Sequence, residues 1–214
     1  MIYSDWIDRY GGRDFPLVKF RPGASFTTMF GLDHTFDVLR LHPGIDRAKA
    51  SGTDGIYCPF DMYKTEWISE YPSFGSMFIL YPDGVDFEVR IMHMEETPRV
   101  EGDVKGGEYI GEAGNKGIGT GRHTHVEIVS SGPLCETLES LLLKKYGQGY
   151  DKSYKEGTIK AYCDKYELTD GMGYYEREIK KRKIESINSI LCRRIDYHSG
   201  ERRTFYSSLE LFGM

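Results

Sequence analysis

Residues 121–128, Gly-Arg-His-Thr-His-Val-Glu-Ile, constrain the fold more than any other stretch of the chain. Polar and β-branched residues alternate there, and a period of two marks a strand with two distinct faces. His123, His125 and Glu127 then share one face, and Arg122, Thr124, Val126 and Ile128 the other. Two imidazoles and a carboxylate on one face suit a metal ion. They equally suit a division in which one imidazole binds and the other moves protons. A half-exposed strand with two incidental histidines is the competing reading, so the rest of the chain has to decide.

Upstream, short β-type runs are punctuated by glycine and proline. Ser25–Gly31 reads as a strand ending at its glycine, and Gly55–Phe60 as another. Phe74–Tyr81 and Phe87–Met94 are strands joined by Pro82-Asp83-Gly84, strong hairpin chemistry, with His93 near the end of the second. Between His42 and Asp46, Pro43 and Gly44 forbid a regular helix. That segment is a turn feeding a strand. It either brings the imidazole of His42 and the carboxylate of Asp46 to one point or is an ordinary surface turn. Residues 97–121 are rich in glycine, but no Gly-Lys-Ser/Thr follows, which excludes a phosphate loop, and Gly-x-Gly-x-x-Gly is absent too. These glycines read as tight turns that let backbone approach backbone or substrate just before His123.

After Ile128 the pattern changes. Pro133 to Tyr146 reads as an amphipathic helix with Leu134, Leu138, Leu141 and Leu142 on one face, and Gly147 suits its end. Residues 158–166 form a second candidate helix. Residues 174–191 carry Lys180-Lys181-Arg182-Lys183, read as a solvated helix face, with binding of an anionic wall polymer as the alternative. The last stretch reads as a hairpin turning at His198-Ser199-Gly200. The expected organisation is an N-terminal arm over residues 1–20, a mainly β, antiparallel domain over 21–132, and an α-rich extension over 133–214.

Composition narrows the function. A chain of 214 residues buries a core without staples, and a formal net charge of -5 argues against nucleic acid as the main partner. Four widely spaced cysteines, with no Cys-x-x-Cys, fit neither a zinc ribbon nor a disulfide framework and read as reduced. No basic-then-apolar leader is visible and no apolar run spans a bilayer, so the expectation is synthesis in the cytoplasm without membrane insertion.

Together, His42-Pro-Gly-Ile-Asp46, His93 at a strand end, and His123-Thr-His125 fall in order on a glycine-punctuated β-domain. In that order and spacing they resemble the M23 (lysostaphin/LytM-type) zinc endopeptidases, which cut peptide bonds in bacterial peptidoglycan. The resemblance runs from about Ser25 to Ile128, about half of the chain. It implies an antiparallel β-sheet lined by a groove, one zinc ion per chain held by His42, Asp46 and His125, and an open fourth position. It also implies that His93 and His123 face the attacking water and the scissile carbonyl. Glu127 is either a partner that orients a histidine or a plain surface glutamate. The substrate implied is peptidoglycan, cut in phage lysis or wall penetration; a non-catalytic binding module, such as a virion component, is the alternative. Three features depart from the family pattern: Ile91 stands where a tyrosine is frequent, Asp61-Met62 where an aspartate-glycine closes a strand, and no leader is seen. Asp5, Asp8, Asp14 and His34 are candidates for a side chain that blocks the groove.

Overall fold

The computed structural model describes residues 24–28, 30–33, 40–48, 55–58, 64–71, 74–82, 85–95, 102–119, 121–132, 176–179, 184–188 and 191–206. Every regular element among them is a strand. In chain order these are β1 (Ser25–Thr28), β2 (Gly31–Asp33), β3 (Arg40–His42), β4 (Ile45–Ala48), β5 (Gly55–Tyr57), β6 (Lys64–Tyr71) and β7 (Gly75–Tyr81). There follow β8 (Phe87–Met94), β9 (Tyr109–Glu112), β10 (His123–Ser130), β11 (Glu176–Ile179), β12 (Ile184–Asn188), β13 (Leu191–Ile195) and β14 (Arg202–Tyr206).

The main sheet runs β1-β4-β10-β8-β7-β6, with β14 also on β10 and β13 on β14. A second sheet has the order β11-β12-β2-β3, and β5 pairs β9. All the pairings are antiparallel, as the strand-and-turn pattern leads one to expect. Strand β10 is the axis of the main sheet. One edge pairs with β8; the other pairs with β4 over His123–Val126 and then with β14 at Ile128 and Val129.

The two faces of the β10–β8–β7 core differ in chemistry. Cross-strand neighbours share a face, and on one face Val126 stands opposite Ile91 and Ile128 opposite Val89, which in turn face Phe78 and Leu80. All six are buried, each contributing on the order of 1.5–3 kcal/mol of transfer free energy. On the other face Glu127 stands opposite Arg90 and His125 opposite Met92. These are buried as well, so β8 is covered on both faces rather than half-exposed.

Two expectations need correction. The run Ser25–Gly31 is not one strand: β1 stops at Thr28, and Gly31, at φ 128°, opens β2 instead of closing β1. The described residues within 174–191 lie in strands rather than in a helix. Strands β11 and β12 pair with each other, and β12 reaches β2 through Ile187 and Leu32, so a sheet partner overrides the helical spacing of Ile184, Ile187 and Leu191. The hairpin at residues 196–200 forms, closed by Gly200 at φ 73°, whose N–H donates to the Asp196 carbonyl at 2.9 Å. It belongs to the main sheet through β14, which pairs with β10.

The arm, its four candidate blocking residues, Asp61-Met62, residues 180–183 and the expected helices at 133–146 and 158–166 lie outside the described residues. Among the described residues no helix is long and apolar enough to cross a membrane. Cys58 and Cys192 are buried and form no disulfide.

Candidate metal and proton-transfer site

Pairing of β4 with β10 places Asp46 directly opposite His125. The Pro43–Gly44 turn carries the chain from β3 in one sheet to β4 in another and returns His42 to the same point. His42 Nε2 lies 3.1 Å from Asp46 Oδ1, and His125 Nδ1 lies 2.8 Å from that same oxygen. The two imidazoles meet edge to face with centroids 4.7 Å apart. A Cβ at position 44 would lie 2.5 Å from His125 Nε2 and 2.6 Å from the Val126 carbonyl oxygen, so this approach requires glycine.

All three side chains are buried, and one ligand atom from each lies within 4.8 Å of the others. Burial works against ionisation of Asp46, but hydrogen bonds from His125 and His42 overcome it and hold the carboxyl well below the usual range. A carboxylate oxygen only accepts, so the two ring nitrogens facing it donate. His125 donates again from Nε2 to Glu127 Oε1 at 3.2 Å. It is therefore an imidazolium in the metal-free protein: burial opposes the charge, and the bonds to Asp46 and Glu127 push its pKa up to about 9. A divalent cation fits this arrangement. His42 and His125 would turn the same nitrogens to it as lone pairs, and two nitrogens with one carboxylate oxygen are a donor set that zinc favours with its fourth position open.

His93 reaches the site through a backbone irregularity. The β7–β8 register shifts between Ser76 and Phe78, and His93 takes a left-handed conformation at φ 62°. Regular alternation would put His93 with Ile91 and Val89 on the apolar face. The bulge re-aims the ring: it stands 4.5 Å from that of His123 and 6.0 Å from that of His125, centroid to centroid. The conformation costs about 1–3 kcal/mol in a residue with a Cβ. Two hydrogen bonds hold the segment, from the His93 amide to the Phe74 carbonyl at 3.1 Å and from the Gly114 amide to the His93 carbonyl at 2.8 Å.

Each of these two histidines donates Nδ1–H to a carbonyl at 2.7 Å, His93 to Lys116 and His123 to Gly121. A carbonyl partner fixes the tautomer, so Nε2 of each neutral ring is left as the base. Burial, followed by the neighbouring charges of His125 and His123, lowers His93 to about 4 and keeps it neutral at physiological pH.

The face that carries His125 continues into a buried ionic cluster. Arg90 donates from Nε to Glu88 at 2.6 Å and from both terminal nitrogens to Asp196 at 2.7 and 2.9 Å. It lies 3.7 Å from Glu127. Burial would lower the guanidinium, but Asp196, Glu127 and Glu88 keep it charged. Tyr197, next to Asp196, donates to Glu127 Oε2 at 2.6 Å. Glu127 is fully buried, which settles its environment against a surface glutamate.

A cleft of ≈ 440 Å³ contains His42, Asp46, His93, His123, His125 and Glu127. The structure therefore brings together all five site residues expected from sequence. Arg122, expected on the opposite face, precedes β10, where alternation no longer binds it, and reaches Glu95 at 3.0 Å on the cleft side. Sequence reasoning missed Arg90, Asp196 and Tyr197. The signal for Arg90 was present: charges at positions 88 and 90 inside an otherwise apolar strand demand buried partners.

No protein-family model matches the chain. Over 113 residues it is 34% identical to the DD-carboxypeptidase/endopeptidase Mpg of Neisseria meningitidis serogroup B, a match covering 52% of this chain and 25% of that protein. The chain thus spans about a quarter of the length of the curated relative it matches. Among solved structures, LytU is 28% identical with a TM-score of 0.45, covering 51% of this chain and 76% of its own. The catalytic domain of the prophage-encoded M23 protein EnpA from Enterococcus faecalis is 24% identical with a TM-score of 0.44, covering 52% and 85%. The catalytic domain of lysostaphin from Staphylococcus simulans is 21% identical with a TM-score of 0.43, covering 60% and 86%.

Proposed function

We propose that this chain is an M23-type, zinc-dependent endopeptidase acting on peptide bonds of bacterial peptidoglycan. The observation that carries the reading is the juxtaposition of two sets of histidines. His42 and His125 converge on Asp46, and His93 and His123 stand beside them with Nε2 left as a base. The Neisseria relative, a DD-carboxypeptidase/endopeptidase by name, supports peptide links of the cell wall as the substrate class.

In this reading His42, Asp46 and His125 hold the metal. Zinc bound there supplies Lewis acidity, acidifying water and polarising a carbonyl. The chain's own residues do the rest. Asp46 contributes one negative charge against the ion's two positive, so the site keeps a net positive charge that favours an anionic transition state. His123, half-exposed, or His93 takes the proton of the attacking water at Nε2 and returns it to the leaving amine. The other imidazole, when it carries a proton at Nε2, is placed to donate a hydrogen bond to the developing oxyanion.

The test separates metal binding from chemistry. Zinc content and hydrolysis of defined wall peptides are measured for the parent, His123→Ala and His125→Ala. The reading expects an active, zinc-loaded parent, an inactive zinc-loaded His123→Ala and a zinc-free, inactive His125→Ala. Full activity in both variants would contradict it.

A further inference from the structure

We propose that Tyr197, presented by the C-terminal hairpin, is a positioning residue for metal ligation: it holds Glu127, and Glu127 fixes the ring of His125 with Nδ1 turned to Asp46. The proposal rests on the zinc reading above and extends it to a residue 70 positions beyond Glu127 in the chain.

The chain of contacts is continuous. His125 Nδ1 faces Asp46 at 2.8 Å, and its Nε2 lies 3.2 Å from Glu127 Oε1. The second carboxylate oxygen of Glu127 accepts the Tyr197 hydroxyl at 2.6 Å. A ring nitrogen that donates to a carboxylate fixes the orientation and tautomer of a metal-binding histidine and raises its basicity; such partners matter about 10–100-fold in metal affinity. Glu127 alone would have a free rotamer about its terminal torsion. The hydroxyl of Tyr197 removes that freedom by fixing the far oxygen, and the guanidinium of Arg90, 3.7 Å away, lies on the same oxygen.

Tyr197 is itself set in place from three sides. Its ring stacks on Phe74 with centroids 4.2 Å apart at 27°, and Arg90 lies over it at 5.5 Å. Its neighbour Asp196 is clamped by both terminal nitrogens of Arg90 and accepts the Ser199 amide at 3.0 Å, the Ser199 hydroxyl at 2.8 Å and the His198 amide at 3.3 Å. The turn is therefore rigid at the position from which the hydroxyl points. Burial, with Glu127 adding to it, keeps the Tyr197 phenol protonated far above physiological pH, so it stays a donor. The hairpin adds a sheet edge through β14, and its turn also completes the surroundings of His125.

The test uses the full chain and zinc itself. Zinc affinity is measured by competition with a chromophoric chelator for the parent, Tyr197→Phe, Glu127→Gln and the double variant, with the melting temperature of each metal-free protein recorded. Tyr197→Phe keeps the ring stack and removes only the hydroxyl. We expect each single variant to bind zinc about tenfold or more weakly, and the double variant to bind no more weakly than Glu127→Gln. Affinity of Tyr197→Phe within twofold of the parent overturns the proposal, whatever happens to the melting temperature. So does a double variant whose loss is the product of the two single losses. A second reading comes from proton NMR of the unmodified zinc-loaded protein. Slowly exchanging protons on the Tyr197 hydroxyl and His125 Nε2 are expected, and rapid exchange of both overturns the proposal. A folded parent that binds no zinc is a different failure, since it overturns the zinc reading itself.

Discussion

Asp46 and His125 face each other across neighbouring antiparallel strands, with Nδ1 of the imidazole 2.8 Å from the carboxylate. Sheet register, rather than a flexible loop, sets this pair, and His42 joins it from the end of β3. Replacing Asp46 with Asn halves the acceptor capacity between two imidazoles and removes the charge that draws a cation. We expect Asp46→Asn to lose zinc at neutral pH with the sheet intact, read as metal content by atomic absorption beside an unchanged far-ultraviolet circular dichroism spectrum.

His123 sits at the start of β10 with its Nδ1–H on the Gly121 carbonyl. A positioned general base contributes about 10²–10⁴ in rate. His123→Gln is expected to lower kcat by that order while leaving zinc stoichiometry unchanged. Single-turnover hydrolysis of a wall peptide by zinc-loaded protein measures it.

Gly44 lies against the His125 ring, where a Cβ would come within 2.5 Å. Overpacking of this kind typically costs about 1–3 kcal/mol. Gly44→Ala is expected to lower the urea midpoint and to weaken zinc binding together, because the atom displaced is part of the site. A variant that loses neither shows that the turn moves freely.

Arg90 is wholly buried among Glu88, Asp196 and Glu127. Removing one partner of a buried ionic cluster leaves uncompensated charge, at a cost of about 3–5 kcal/mol. Arg90→Met is expected to destabilise the fold by that order in chemical denaturation. It is also expected to expose the C-terminal hairpin to proteolysis before the rest of the sheet.

The metal-free protein has two pH windows of opposite sign. His93 is lowered from 6.5 to about 4, so the unfolded chain binds the proton first and stability falls as pH drops from 6.5 towards 4. His125 is raised from 6.5 to about 9, so its contribution is fully present below 6.5 and is lost as pH rises through 9. Urea midpoints across pH 4–10 in chelator should fall at both ends, with His93→Gln flattening the acid limb and His125→Gln the alkaline limb. An alkaline limb unchanged in His125→Gln contradicts the assignment.

Much of this site was legible because its determinants are local. The His-x-His spacing in β10 and the Pro43–Gly44 turn are written into consecutive residues, and period-two alternation put His125 and Glu127 on one face. The position of His93 was legible only as a strand end. Its aim depends on the bulge opposite β7, which no local pattern announces, and strict alternation would have turned the ring into the apolar core. Tyr197 was invisible for a related reason. It meets Glu127 through pairing of β14 with β10, a contact across 70 residues of sequence that periodicity does not encode. Within residues 174–191 the described residues form strands where a helix face was expected, because spacing of apolar residues is a weak guide when a strand partner such as β2 is waiting.

The most direct test of the central claim is a digest of purified peptidoglycan from several wall chemotypes. Parent protein is run alone, with chelator, and with chelator followed by zinc, and the products are read by mass spectrometry. We expect new amine termini in at least one chemotype that vanish with chelator and return with zinc, their masses naming the bond cut. Zinc-loaded, folded protein that releases no new amine from any chemotype would contradict the account.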